Sequence, residues 1–592
     1  MRTTLNDNQR RLAGDWLPFL RWLPHYRRAD LPGDLLAGLT IALLLIPQSM
    51  AYALLAGLPP VVGLYASILP VIVYGLLTSG RVLTVGPTAI TSVMVLDSLQ
   101  HLAATQTPTY ITLALTLALL LGLVYLIMGI LRLGFIVNLL SQPVLSAYIN
   151  AAAIIIILSQ VQSLLGISVE RTPYPYELFL RVAAGIPELN PAALLIGGGS
   201  MALLIVYRRW LGDLLARLGF GPTLRFTLTR SGPLTVVILS TIIVYAGQLH
   251  ETAGVQVIGA IPAGLPALQV GPFDFSHLDS LLFGAVAIAF VGFMEGISTA
   301  KSLASRTRDR IQANQELIAM GAANVASAVS GGFPVTTSIS RSAVNHAAGA
   351  RTGLSSVIAA SMLGVTVLFF TPLLYYLPQT ALAAIIITSV VNLIDFKAFR
   401  QLWRFSHAET LPFIVTFGSV FIFSIEGGII AGVLIAALLH LYRTTRPHIT
   451  TLGRIPNTEY YRERRRHEVE PHPHMLIIRV DESLYFANVQ YLENYLRAAI
   501  ADNPEITALI IVGSAVNSID ASALQILTSL IHEFHEYGVE IYLTEMKVGV
   551  LRKLERVQFL AQIGPERVFT STHEAVQHVE RQTFVNNSSR LS

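Results

Sequence analysis

Two ionisable residues stand inside otherwise uncharged stretches of the 592-residue chain, and their chemistry poses the functional question. Glu295 lies in AFVGFMEGISTAK (289–301) and Arg341 in SISRSAVN (338–345). Either group is costly in hydrocarbon unless it is paired or used. A carboxylate in a low dielectric gains affinity for its proton, so Glu295 can carry one, unless a nearby cation holds it ionised. The alternative for Glu295 is a static partner of Arg341 or Lys301. Arg341 can attract an anion; alternatively it only neutralises an acid or snorkels to water.

The segments around these residues are unusual. VLTVGPTAITSVMV (82–95) and SGGFP–VTTSISRSAVN (330–345) each begin with a short β-like stretch, then carry Gly or Pro and a Ser/Thr-rich turn before a helix. Pro87 and Pro334 lack a backbone donor and resist continuous helix. Irregular backbone at membrane depth is tolerated only inside protein or along a cavity. Matching interruptions in two halves of a chain point to inverted repeats with a binding site between half-helices. Helix N-termini there present free N–H groups and positive dipole ends to an anion. Thr88, Ser338, Ser340 and Ser342 add hydroxyl donors. Two proline-kinked structural helices are the plainer alternative. Gln48 and Tyr52, at i and i+4, share a helix face and can line the cavity or simply pack in the core.

These residues need a membrane scaffold. The chain is 53% hydrophobic and 13% charged, with a mean hydropathy of +0.59. Its apolar residues come in blocks such as Leu35–Leu55, Ile111–Ile130, Leu234–Val244, Leu281–Phe293 and Phe413–Phe423. A spanning helix needs roughly 20 apolar residues. About fourteen membrane elements are predicted, at 34–56, 61–79, 84–99, 111–130, 140–161, 190–207, 233–248, 280–303, 312–330, 337–346, 355–374, 379–394, 409–424 and 427–442. Lys and Arg test the count, since they gather on cytoplasmic loops. Arg81, Arg132, Arg208, Arg209, Arg217, Arg225, Arg230, Lys301, Arg306, Arg308, Arg310, Arg351, Lys397, Arg400 and Arg404 all follow even-numbered spans. The opposite loops at 100–110, 249–279 and 371–378 have none, and only 162–189, with Arg171 and Arg181, departs from the pattern. Both termini are therefore expected in the cytoplasm, and the protein in the inner (plasma) membrane among its lipids. The basic N-terminal arm, 1–33, with Arg2, Arg10, Arg11, Arg21, Arg27 and Arg28, does not read as a signal peptide.

The domain order follows: the arm, a transmembrane domain over 34–442, a linker over 443–473, a soluble α/β domain over 474–582 and a disordered tail over 583–592. The linker contains the basic run Arg462–Arg466, read as a juxtamembrane anchor, and His467, His472 and His474, read as solvated rather than as a metal site. Strands are predicted at Met475–Val480, Ala508–Val512 and Val539–Leu543, and helices at Val489–Ile500, Ala521–Tyr537, Val550–Leu560 and His573–Arg581. The chain has no cysteine, so disulfides and thiolate chemistry are excluded. A charge of +4 does not point to nucleic acid, and no GxxxxGK[ST] motif supports ATP-driven transport. No cofactor, metal motif or nucleophile–base pair marks the membrane region as an enzyme.

The run IPQSMAYALLAGLPPVVGLY (46–65) resembles the first-span signature of the SulP anion carriers, the sulfate permeases. VGPTA (85–89), ELIAMGAAN (316–324) and SRSAVN (340–345) fit the same family in order and spacing, and the C-terminal segment is similar to its STAS domain. The resemblance covers about residues 15–580. It implies a polytopic α-helical fold of seven-plus-seven inverted repeats in core and gate domains, a homodimer and an elevator-like movement. It also implies an anion site at Gln48, Tyr52, Thr88, Ala89, Ser338, Ile339, Ser340 and Arg341, with Glu295 as the proton-coupling residue. Related anti-sigma-factor antagonists carry a phosphorylatable serine directly after an aspartate. Here Ala521 follows Asp520, which reads as a helix N-cap, so that switch is expected to be missing. A docking or regulatory role, with an unidentified cytoplasmic partner, is left for this domain.

The expected function is proton-coupled sulfate uptake. Alternatives in the same site are sodium-coupled bicarbonate uptake, chloride/bicarbonate exchange and dicarboxylate transport. An anion channel or voltage-responsive protein is the alternative of another class.

Overall fold

The computed structural model describes residues 17–590 apart from 136–140, 168, 170–174, 267, 269–270, 272, 308–310, 424 and 471. Arg2, Arg10, Arg11, Arg171, Arg308 and Arg310, named above, lie outside the described residues. The chain divides into two compact units, Met1–Ala436 and Ala437–Ser592.

The first unit is α-helical. Every apolar segment predicted from the sequence holds helix, but the helices are of two kinds. Among the described residues eight are long and apolar enough to cross a membrane alone, or nine if the bent pair Leu224–Arg230 and Gly232–Ala246 is one span. The rest are shorter, among them Ala89–Leu99, Leu354–Phe369 and His407–Ile422. Length and composition thus mark fewer independent spans than the fourteen predicted segments, because several of these hold shorter helices. Helix starts follow local chemistry. Pro108 and Pro191 occupy first helical positions, where a missing N–H costs nothing, behind the capping side chains of Thr107 and Asn190.

The helices Pro108–Ile130 and Ala313–Val329 pack through small residues. A β-carbon at Gly122 would stand 3.0 Å from Gly321 O, and one at Gly321 would stand 2.9 Å from Gly122 O. Lipid gives helices no hydrophobic reason to associate, so close backbone approach of this kind supplies the attraction.

The second unit is a six-stranded sheet covered on both faces. The strands near the site in the first unit are β1 (Val85–Gly86) and β2 (Thr336–Thr337); those of the second unit are β3 (Ile449–Arg454), β4 (Tyr461–Glu463), β5 (Met475–Val480), β6 (Ala508–Val512), β7 (Glu540–Thr544) and β8 (Val568–Phe569). Their order is β4-β3-β5-β6-β7-β8; β5 to β8 are parallel, and β3 is antiparallel to both its neighbours. Alternation along β6 explains the layers. Leu509 and Ile511 face the cluster built by helices Val489–Ala501 and Ala521–Glu536, whereas Ala508, Ile510 and Val512 face Ala575, Val576 and Val579 of helix Thr572–Arg590.

Two readings of this region need correction. Residues 443–473, expected as a linker, contain β3 and β4, which extend the sheet. Their pairing is non-local and β4 has only three residues, so periodicity in the sequence is too short to show it. Residues 583–590, expected as a disordered tail, continue the helix Thr572–Arg590, which contains no Gly or Pro to stop it. Arg462 lies in β4, and Arg466 pairs with Glu463. The three histidines go different ways: His472 faces Glu580, His474 Nδ1 meets Glu505 O at 3.1 Å, and the backbone N–H of His467 donates to Glu463 O. Asp520 caps its helix, with Oδ1 accepting from Ala523 N at 2.8 Å.

Candidate anion site

The two interrupted segments meet. β1 and β2 pair antiparallel, Val85 opposite Thr337 and Gly86 opposite Thr336. Each strand runs directly into a half-helix, Ala89–Leu99 or Ile339–Ala347. The caps match: Thr88 Oγ1 accepts from Thr91 N at 3.3 Å, and Ser338 Oγ accepts from Arg341 N at 3.4 Å. The backbone donors freed by strand–helix junctions are thereby aimed at one place, with two helix N-termini converging on it.

Neighbouring helices hold this crossing. Asn324 of helix Ala313–Val329 accepts from Val335 N and donates to Val335 O, each at 2.9 Å. Ser327 Oγ donates to Phe333 O at 2.7 Å. On the other side helix Leu278–Thr307 lies against β2: a β-carbon at Gly292 would stand 2.5 Å from Thr336 Cγ2, and one at Gly296 would stand 3.0 Å from Thr337 Oγ1. The glycines flanking Glu295 therefore admit a strand.

Two buried carboxylates clip the same assembly at one end. Glu316 accepts from Tyr74 Oη at 2.7 Å, Ser79 N at 2.8 Å and Ser79 Oγ at 2.6 Å. Asp34 accepts from Arg351 N at 2.6 Å, Thr352 N at 3.0 Å and Thr352 Oγ1 at 2.7 Å. Each acid replaces the missing backbone partners of a turn that leads into or out of an interrupted segment.

The predicted site residues fall into three groups. Gln48, Ser340 and Arg341 line one cavity of about 660 Å³, together with Thr388, Ser389 and Asn392. Arg341 is 1% exposed; its Nη1 donates to Gln48 Oε1 at 3.5 Å, while Nε and Nη2 have no partner. Gly86 makes room for it: φ is +151° there, and a β-carbon would stand 3.1 Å from Nη2. Ile339 and Ser340 are exposed beside it. The second group is buried behind this layer. Thr88 joins Thr91 and Thr336 in a closed ring of hydroxyls, with Oγ1–Oγ1 distances of 3.0, 3.1 and 2.7 Å. Ala89 and Ser338 are buried at the two half-helix starts. The third group is Tyr52 and Glu295, both buried and close enough to Arg341 to act on it electrostatically. Glu295 and Arg341 form no ion pair within hydrogen-bonding distance, and Glu295 Oε2 has no partner.

Sequence reading missed Thr388, Ser389 and Asn392, and the basic wall of Arg208, Arg209 and Arg230 that flanks the same cavity. The arginines had been counted only as loop charges. Thr388–Asn392 ends an ordinary apolar run, with nothing local to mark it.

A buried, incompletely bonded guanidinium at two converging helix N-termini, reached through a basic cavity inside an apolar helical bundle, defines a membrane transporter of anions. The chain belongs to the sulfate permease family, which matches residues 31–416, and a STAS domain matches residues 466–575. A probable sulfate transporter 4.2 of Arabidopsis thaliana is 34% identical over 592 residues, covering 98% of this chain and 85% of the relative. A probable sulfate transporter of Mycobacterium tuberculosis is 33% identical over 576 residues, covering 96% and 99%. The fold is shared with murine solute carrier 26 family member A9, an anion transporter solved in an inward-facing state, with a TM-score of 0.90 at 24% identity over 98% of this chain and 96% of that one. The transmembrane domain of a cyanobacterial bicarbonate transporter aligns with a TM-score of 0.56 at 24% identity, over 69% of this chain and 98% of its own.

Proposed function

We propose that this protein carries sulfate into the cell together with protons, the core moving elevator-like against the gate. The observation that carries the reading is Arg341, buried at the half-helix junction with Nε and Nη2 unbonded and facing a cavity with Gln48 and Ser340. A tetrahedral dianion supplies acceptors for those donors and for the half-helix N–H groups. Glu295, buried nearby without an ion pair, takes the proton. Protonation removes a negative charge close to the dianion, so proton and sulfate each favour binding of the other. The names of the plant and mycobacterial relatives favour sulfate among the anions.

The clustering of Lys and Arg on alternate loops supports a cytoplasmic position for Arg208, Arg209 and Arg230; on this reading the cavity is inward-facing and both termini are cytoplasmic. The membrane is the inner (plasma) membrane, and the assembly a homodimer.

Labelled sulfate uptake into proteoliposomes tests this, with and without an inward proton gradient and with sodium replaced. The expected result is gradient-stimulated, sodium-independent uptake in the wild type and no stimulation in Glu295→Gln. Equal uptake with and without the gradient in the wild type would remove proton coupling.

A further inference from the structure

A second cavity, also of about 660 Å³, lies apart from the transport cavity, between the segment Pro18–Asp30 and the helical core. Arg21, Trp22 and His25 reach it from that segment. Arg81 reaches it from the turn before β1, and Arg351 from the turn after the half-helix Ile339–Ala347. Among the described residues, its lining holds Arg21, Arg81 and Arg351 and one acid, Asp30. The two acids behind the wall are already committed. Asp34 accepts backbone N–H groups of Arg351 and Thr352, Glu316 accepts from Ser79, and neither forms an ion pair with the Arg351 side chain.

The lining sets the ligand class. Arginine forks match phosphate oxygens in pairs. The space suits a small organic ligand, for which pockets of about 300–1,000 Å³ are usual, and exceeds what one bare oxyanion fills. The Trp22 and Tyr26 rings, with centroids 6.3 Å apart, add an aromatic wall for the body of such a ligand. We propose that this cavity binds a phosphorylated ligand, either a lipid headgroup or a free phosphate ester, and so fastens the segment before the first span to the ends of both interrupted segments. Arg81 is four residues before β1, and Arg351 is four residues after Ala347. Occupancy therefore restrains the part of the core that holds Arg341. The binding claim is independent of the transport reading; only its effect on uptake rests on that reading.

The test uses the full chain in nanodiscs. In discs of neutral phosphatidylcholine the protein is titrated with ATP; in a second arm the discs contain a phosphatidylinositol phosphate and no ATP is added. Melting temperature reports binding. A rise in the first arm only assigns a free phosphate ester, and a rise in the second only assigns a headgroup; either supports the site. Arg351→Gln and, on the other wall, Arg21→Gln should each weaken the effective probe about tenfold, as loss of one charge-assisted hydrogen bond does. Their melting temperatures without probe check folding. No rise in either arm, or equal rises in wild type and both variants, overturns the proposal. Sulfate uptake is then measured with the effective probe, whose effect should vanish in Arg351→Gln. If the wild type takes up no sulfate, the transport reading fails while the binding result stands.

Discussion

Asn324 holds both backbone groups of Val335, accepting from its N–H and donating to its carbonyl at 2.9 Å. The side-chain amide takes the place of a neighbouring strand at the point where the chain enters β2. Replacing it with Ala leaves two buried backbone groups unpaired. Asn324→Ala should cost about 3 kcal/mol. The loss is read as a lower melting temperature in detergent, and an unchanged value would mean that the crossing does not depend on this contact.

Arg341 and Glu295 are buried close together without an ion pair. Arg341→Gln should weaken sulfate binding by roughly 10- to 100-fold, the worth of one charged hydrogen bond. Glu295→Gln, which mimics the protonated acid, should retain binding. Equilibrium binding of labelled sulfate to purified protein separates the two. Equal loss in both variants would mean that Glu295 contributes structure to the site rather than a proton.

The close approach of helix Leu278–Thr307 to β2 makes a steric prediction. Gly292→Ala places a methyl 2.5 Å from Thr336 Cγ2 and 2.7 Å from Tyr125 Oη, whereas Gly199→Ala meets nothing within 4 Å. The first should destabilise by about 1–3 kcal/mol and abolish uptake. The second should be neutral or stabilising by up to about 1 kcal/mol. Melting temperature and uptake of the pair check the order.

In the C-terminal unit, burial alone would raise the Asp481 carboxyl, but hydrogen bonds from Arg479 and His448 outweigh it and hold it below the usual carboxylate range. Arg479 Nε lies 2.5 Å from Oδ1, and His448 Nδ1 lies 2.8 Å from Oδ2. A depressed folded pKa contributes stability that is present above the unfolded value, about 3.9, and is lost as pH falls through the folded value. Asp481→Asn should therefore lower stability at pH 7, and the difference from wild type should shrink below about pH 4. Unfolding curves of the full chain at both pH values test the sign.

Much of this was legible in the sequence because the informative residues break a local rule. Pro87, Pro334 and the Ser/Thr turns interrupt apolar runs, and the structure makes them paired strands and half-helices. Glu295 and Arg341 stood out because each is a lone charge in an otherwise uncharged stretch. What stayed hidden depends on contacts distant in sequence. The Thr88–Thr91–Thr336 ring joins residues 248 positions apart, and β3 becomes a strand by pairing with β4 and β5. Ser389 lies in an apolar run and joins Arg341 in the cavity lining only through the packing of its helix.

On the proposed function an anion occupies the half-helix junction beside Arg341 and Ser340. The chain contains no cysteine, so Ser340→Cys introduces a single thiol into the cavity wall. In a transport-competent Ser340→Cys protein, the rate of labelling by a small thiol reagent is measured with and without saturating sulfate, beside Gly549→Cys on an exposed helix of the C-terminal unit. Sulfate is expected to slow labelling at position 340 several-fold and leave position 549 unchanged; equal rates at position 340 with and without sulfate would contradict the site.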